Sequence, residues 1–444
     1  MKKVITYGTY DLLHEGHIRL LKRAKQLGDY LIVGVTADDF DKTRGKINVQ
    51  QSLMERVENV RATGLADEII IEEYEGQKID DIRRYDVDIF TVGSDWKGHF
   101  DYLNEFCDVV YLDRTEGISS SQIRSDNQNI KIGLISDVYF SRKYISECSF
   151  VNGIEFIGAF VSDAKLEKEL LEKEITIFSN FNNFLKKIDA VIIVSHPSKR
   201  YEYIKTCLSQ GKHVLCESPY SLNEESSGEL LSLAKKNHLI LMDSIKTAYS
   251  TAYSRLLLLL KSEIVGNILS VDATCTSLID VNHIQEEKDW NSICEWGPTA
   301  MLPIFQILGI NCLNFDITSM IANKTKNFDL YTKINFIYNG ATASLKVGKG
   351  IKSEGELIVS GTKGYVYVPA PWWKTDYFEV RYENQTENKR YFYQLDGEGI
   401  RYELVIFVKS IHEGKNKSYI QDDITQKIAH IIESFYNNKN KVEI

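Results

Sequence analysis

The sequence predicts an α/β protein: a first parallel sheet covered by helices, a second region built in the same order, and a last part with a largely antiparallel sheet. Three observations carry this. Strand-like runs at 4–7, 30–35, 68–71, 87–92 and 109–112 alternate with helical patterns at 16–27, 50–63 and 76–85, the order of parallel strands joined by helical crossovers. A second alternation begins at residue 130, with strands at 130–135, 156–161, 190–195 and 213–216 and helices at 140–148 and 201–210. From residue 268 the pattern changes to alternating runs at 268–273, 333–338, 341–347, 356–360, 365–368 and 377–382. The chain of 444 residues is long enough for two or three domains. We expect a first domain over 1–125, a polar linker at 126–130, a second αβ domain over 131–250, and an α+β domain with a C-terminal helix over 251–444.

The first strand is justified by Val4 to Tyr7, β-branched and aromatic as a buried parallel strand requires. Gly8 breaks it, and from Ile18 the apolar positions Ile18, Leu20, Leu21, Ala24 and Leu27 recur at helical spacing. The turn between them holds Thr9 to His17. His14 and His17, three apart at the helix start, fall on one face beside free backbone N–H groups and the positive end of the dipole, where an anion binds readily. Gly16 between them allows a phosphate to approach the backbone closely.

His14-Glu15-Gly16-His17 resembles the HxGH motif of the nucleotidyltransferase superfamily, which transfers a nucleotide onto a phosphate and releases pyrophosphate. Two further stretches narrow the resemblance to the glycerol-3-phosphate cytidylyltransferase group: Val92-Gly93-Ser94-Asp95-Trp96, and Arg114-Thr115-Glu116-Gly117-Ile118-Ser119-Ser120-Ser121-Gln122-Ile123-Arg124. The likeness covers residues 1 to 125, with Tyr10 in place of phenylalanine and Ser94 in place of an acid. It implies a Rossmann-like nucleotidyltransferase fold in which His14 and His17 stabilise charge on the α-phosphate. It also implies that Arg114 and Lys46 hold the triphosphate. Lys46 lies in the segment Asp41 to Lys46, which resembles the family's lysine-bearing loop, and Arg56 falls at its helix arginine. The nucleotide site then takes in Gly8, Thr9, Tyr10, Asp11, Gly16, Gly93, Asp95, Trp96, Arg114, Thr115, Gly117, Ile118, Ser119 and Ser120. A packed core tryptophan is the competing reading of Trp96.

Bulk properties set limits. The formal charge of −9 and ordinary composition argue against a nucleic-acid binder. Seven scattered cysteines without CxxC spacing speak against a zinc site or a disulfide framework and for a reducing cytoplasm. The apolar run Leu256 to Leu260 is too short to span a bilayer, and no signal segment precedes Val4, so no membrane insertion is expected.

The second region resembles the Gfo/Idh/MocA family of nicotinamide-dependent oxidoreductases over about 131 to 440. The likeness rests on Asp189 to Pro197, on Gln210 to Pro219, and on Gly397 to Leu404. The dinucleotide loop, however, carries Ser136, Val138 and Ser141 at its three glycine positions. We expect Val138 to block the pyrophosphate, and a positive φ there to be strained. Val161 falls where a ribose-holding acid is expected, with Asp163 two residues on. Ser218 replaces the family's lysine and Thr299 stands near its histidine; neither hydroxyl titrates near neutral pH. NAD(P) binding is therefore doubtful.

Together these residues imply a cytidylyltransferase making a CDP-alcohol and pyrophosphate from CTP and a small polyol phosphate. Magnesium is expected to accompany CTP, with no dedicated protein metal site. Surface-polysaccharide or teichoic-acid synthesis and a homodimer follow from the family likeness. The second region is read as a non-catalytic structural, dimerising or ligand-binding module. The alternative is a reductase acting on a keto-sugar phosphate before cytidylylation, with His196, Lys246, Tyr249 or His283 as substitute acids. The main rival for the first domain is an adenylyltransferase of the same superfamily.

Overall fold

A computed structural model describes the chain except residues 38–50, 52, 74–75, 114–128, 281, 283, 285–288, 324–327 and 394 and the side chains of Asp95 and Asn323. It divides into two compact units, Met1–Asn129 and Ile130–Ile444.

In the first unit, Lys3–Gly8 (β1), Tyr30–Thr36 (β2), Glu68–Glu72 (β3), Ile89–Gly93 (β4) and Asp108–Leu112 (β5) form one parallel sheet in the order β3-β2-β1-β4-β5. Both faces are buried, which is why the strands read as nearly continuous apolar runs. Val4, Leu31, Val33 and Ile89 pack with Leu21, Ala24, Val57 and Val60 of the helices Glu15–Lys25 and Leu53–Ala62. Ile5, Ile32, Phe90 and Val92 pack on the opposite face with Ile82 of the helix Gln77–Tyr85 and with Phe100 and Leu103. The strand order reverses between β1 and β4, which opens a crevice at their carboxyl ends. β4 begins two residues later than the pattern suggests, because Asp88 is held by its side chain and backbone to Lys3 before pairing starts.

In the second unit, Ile130–Ser136 (β6), Ile154–Val161 (β7), Ala190–Val194 (β8), His213–Glu217 (β9) and Leu241–Ser244 (β10) form a second parallel sheet, ordered β10-β9-β8-β6-β7. β6 takes Ile130, the last residue of the expected linker. The expected helix at 140–148 opens with a tight turn over Tyr139–Ser141 and is α-helical over Arg142–Cys148. The helix expected at 201–210 starts earlier, at Pro197, whose missing N–H and fixed φ suit a first helical position.

The same unit holds a nine-stranded sheet. It is built from Ile268–Thr276 (β11), Asn314–Asn323 (β12), Phe328–Tyr338 (β13), Ala341–Gly348 (β14), Leu357–Gly361 (β15), Tyr365–Val368 (β16), Tyr377–Arg381 (β17), Lys389–Phe392 (β18) and Lys441–Glu443 (β19). The order is β18-β17-β16-β15-β11-β14-β13-β12-β19, antiparallel except for β11 with β14 and β12 with β19. The C-terminal region is helical over Ile400–Glu413 and Asp422–Tyr436. Leu256 to Leu260 lie in the helix Thr251–Lys261. Among the described residues no helix is long and apolar enough to cross a membrane.

Candidate active site

The crevice of the first sheet collects residues more than eighty positions apart. β1 and β4 pair in register up to Thr6 with Thr91, so Gly8 and Gly93 each stand two residues beyond the same pair. The turn after β1 is tightly folded: Tyr10 and Leu12 both take positive φ, 52° and 48°. Tyr10 is buried and presents its ring edge to His17, with centroids 5.5 Å apart. A side chain at Gly8 would meet the Tyr10 ring at 3.0 Å, so glycine is needed for this close approach.

His14 caps the helix Glu15–Lys25 from an extended backbone, its Nδ1 accepting the Gly16 N–H at 3.1 Å. That bond makes Nδ1 the acceptor and leaves Nε2 to carry the proton of a neutral ring. The rings of His14 and His17 stack with centroids 3.9 Å apart and planes 21° apart.

A frame of buried polar contacts fixes the turn. Arg56, fully buried, donates to the carbonyls of Thr9 at 2.7 Å, Thr36 at 2.8 Å and Gln51 at 3.2 Å. Gln51 donates its N–H to the Asp11 carboxylate at 3.0 Å and accepts the Leu12 N–H at 2.9 Å on its side-chain oxygen. Arg56, which falls at the family's helix arginine, therefore positions the loop through its carbonyls. Gln51 was invisible in the sequence, where a glutamine at a helix approach carries no signal.

On the β4 side, Gly93 ends the strand with negative φ, and among the described residues a Cβ there would meet only Leu20 Cδ1, at 3.8 Å. Trp96 is 37% exposed and leans on His99 and Phe100, so it is not a core tryptophan. The backbone of Asp95 lies in the turn Ser94–Trp96. Lys46, Arg114, Thr115, Gly117, Ile118, Ser119 and Ser120 lie outside the described residues. Among the described residues no three His, Cys, Asp or Glu side chains gather as a metal site.

Related sequences identify the family of the first unit. Residues 5–126 match the cytidylyltransferase-like family. A glycerol-3-phosphate cytidylyltransferase from Bacillus spizizenii is 52% identical over 126 residues, 28% of this chain and 97% of that protein. The chain belongs to the cytidylyltransferase-like family. A second glycerol-3-phosphate cytidylyltransferase, from Staphylococcus aureus, is 48% identical over 130 residues, 28% of this chain and 95% of its own length. This cytidylyltransferase-like chain is thus a nucleotidyltransferase.

Its second unit belongs to another lineage. Residues 135–244 match the oxidoreductase family with an NAD-binding Rossmann fold, the Gfo/Idh/MocA group. The crystal structure of KijD10, a 3-ketoreductase from Actinomadura kijaniata, covers 71% of this chain and all of its own, with a TM-score of 0.63 and 14% identity. UDP-N-acetylglucosamine 3-dehydrogenase from Acidithiobacillus ferrooxidans covers 68% of this chain and 95% of its own, with a TM-score of 0.57 and 14% identity. At these identities the likeness is one of fold.

The positions singled out in the second unit have structural occupations. Val138 is extended, with φ −133° and ψ 138°, so the strain expected from a positive φ does not arise. Asp163 caps the helix Ala164–Glu172, accepting the Leu166 N–H at 2.7 Å. Ser218 is buried before the cis peptide to Pro219, and Thr299 lies in the first turn of the helix Gly297–Leu308. Of the substitute acids, His196 caps the helix Pro197–Ser209, and burial lowers its pKa. Lys246 pairs with Glu398 at 2.9 Å. Tyr249 donates to the Asp243 carbonyl at 3.1 Å, and burial pushes its phenol well up. His283 lies outside the described residues.

The sequence reading missed a buried acid cluster in this unit. Tyr144 donates to Glu217 at 2.8 Å, and Ser244 donates to Glu403 at 3.0 Å. Burial raises the pKa of both carboxyls and pushes Asp243 up to about 7.

Proposed function

We propose that the first unit transfers CMP from CTP to a small polyol phosphate, glycerol phosphate or a relative, giving a CDP-alcohol and pyrophosphate. The observation that carries this reading is the stacked His14–His17 pair at a helix start, in the crevice beside Gly93. The 52% and 48% identical relatives supply the substrate class.

In this reading a phosphate oxygen of the acceptor attacks the α-phosphorus of CTP in line. The bond to the β-phosphate bridging oxygen breaks, a new phosphoanhydride forms, and pyrophosphate leaves. No covalent enzyme intermediate is needed, so catalysis consists of positioning and charge stabilisation. His14 Nε2–H and His17 would face the α-phosphate oxygens as negative charge builds there. Gly93 would admit the nucleotide close to the backbone, with Asp95 and Trp96 lining the base, while Lys46, Arg114 and the Thr115 to Ser120 stretch would hold the triphosphate. Magnesium enters as part of the substrate complex with CTP.

The product would feed surface-polysaccharide or teichoic-acid-type polymer synthesis. Seven free cysteines support a reducing cytoplasm as its setting. We read the second unit as a non-catalytic module, since the hydroxyls of Ser218 and Thr299 stand where proton transfer would require titrating groups. The test is pyrophosphate release by the full chain with glycerol 3-phosphate, comparing CTP with ATP. A strong preference for CTP is expected, and equal or better use of ATP would defeat the assignment.

A further inference from the structure

In an open parallel sheet, ligands bind outside the carboxyl ends of the strands where the strand order reverses. In the second sheet that place lies between β6 and β8, bordered by the turns 136–141 and 195–197. Here the two turns are bonded to each other. The Asp137 carboxylate accepts the His196 backbone N–H at 2.9 Å and the Lys199 ammonium at 2.9 Å. A pyrophosphate would have to enter beside this carboxylate, and the cation nearest to it is already paired.

The β6 turn is also closed on itself. Ser136 Oγ accepts the Val138 N–H and donates to the Val138 carbonyl, both at 3.1 Å, and Ser141 Oγ donates to the same carbonyl at 2.8 Å. These groups complete one another and offer little to an anion.

Above the turn stands Trp290, 5% exposed. Its ring meets Phe140 edge to face, with centroids 5.6 Å apart, and covers the guanidinium of Arg200, 4.3 Å from the ring centre. Arg200 is fully buried; it donates to the carbonyls of Ser195, Glu217 and Pro219, and its Nη2 has no hydrogen-bond partner among the described residues. The Trp290 face thus supplies a cation–π contact to a guanidinium that would otherwise be short of one partner. Beside Trp290 a cavity of about 200 Å³ remains, lined by His196, Asn291, Cys294 and Tyr436 among others. That is below even the lower end, about 300 Å³, of ordinary small-ligand pockets.

We propose that Asp137 and Trp290 of the chain itself occupy the switch-point crevice of the second sheet, so that this unit takes no nicotinamide dinucleotide. The inference is independent of the cytidylyl transfer assigned to the first unit. It is tested on the full chain by calorimetric titration with NADH and with NADPH to about 1 mM, paired with hydrogen–deuterium exchange at the highest concentration. Either of two results upholds it: no binding heat, or heat with protection confined to residues 1–129, which reports a nucleotide in the first unit. Saturable binding with new protection across 136–141 and 195–199 would overturn it.

Discussion

His14 and His17 lie ring against ring, 3.9 Å between centroids, with the His14 Nδ1 tied to the Gly16 N–H. Rings held this close bring two imidazoles to bear on a single anion. The developing charge of a phosphoryl transition state is such an anion. Replacing His17 with alanine removes a stabilising ring without disturbing the cap, so turnover should fall by about 10² to 10³-fold. Circular dichroism should stay unchanged, and near-normal pyrophosphate release from the variant would remove His17 from the mechanism.

Gly93 separates a structural from a ligand-driven glycine. Among the described residues a Cβ there meets only Leu20, and the backbone φ is −64°, so Gly93→Ala should leave the melting temperature unchanged or slightly raised. The KM for CTP, by contrast, should rise about tenfold or more, as expected for roughly 1.4 kcal/mol of lost contact. An unchanged KM would show that the nucleotide does not approach this position.

Arg56→Lys should destabilise the first unit by about 3 kcal/mol. A single ammonium cannot reproduce the planar fork that serves the carbonyls of Thr9, Thr36 and Gln51. Thermal denaturation followed by circular dichroism measures this directly. A loss below about 1 kcal/mol would mean that the turn is held by other contacts.

Lys78 and Glu72 form a buried ion pair, with Thr36 also donating to Glu72 at 2.8 Å. Lys78→Met alone should cost about 3 to 5 kcal/mol, because it takes the Lys78 cation away from a buried carboxylate, and the double variant Glu72→Gln/Lys78→Met should cost less. Urea unfolding of the two variants checks the order, and equal losses would contradict it.

Asp243 makes the second unit sensitive to pH. Its pKa is pushed by burial from an ordinary 3.8 up to about 7 in the folded state. Between those values the folded chain holds a proton that the unfolded chain has lost, so stability is greatest at the acidic end and falls as pH rises toward 7. Glu217 and Glu403 shift in the same direction. Glu398, ringed by Lys143, Lys246 and Lys374 at 2.9 Å each, is shifted downward and acts only below the ordinary glutamate range. Asp243→Asn should flatten the decline between pH 5 and 7.5, as read from urea midpoints. A slope unchanged from the parent would assign it to other groups.

The parallel sheets and the turn after β1 were legible because their signals are local. Val4 to Tyr7, Gly8 and the His14–His17 spacing each express a nearest-neighbour constraint. The partnership of Gly8 with Gly93 was not readable from spacing, since it depends on strand order. β12 and β18 escaped because their exposed faces, with Met320 half exposed and Phe392 largely so, blur the period-two pattern. At Val138 the sequence located a real departure, but the backbone is extended there, so the strain expected from a positive φ does not arise. The sequence did not show the neighbouring Asp137 bonding across to His196, because no sequence rule links those two positions.

Trp290 has a historical consequence. It shields the Arg200 guanidinium, while Asp137 ties together two turns, so removing either one first lowers stability before any new ligand can compensate. On the closure we propose, each single step toward an open crevice begins with a loss of stability, so the arrangement resists stepwise reversal.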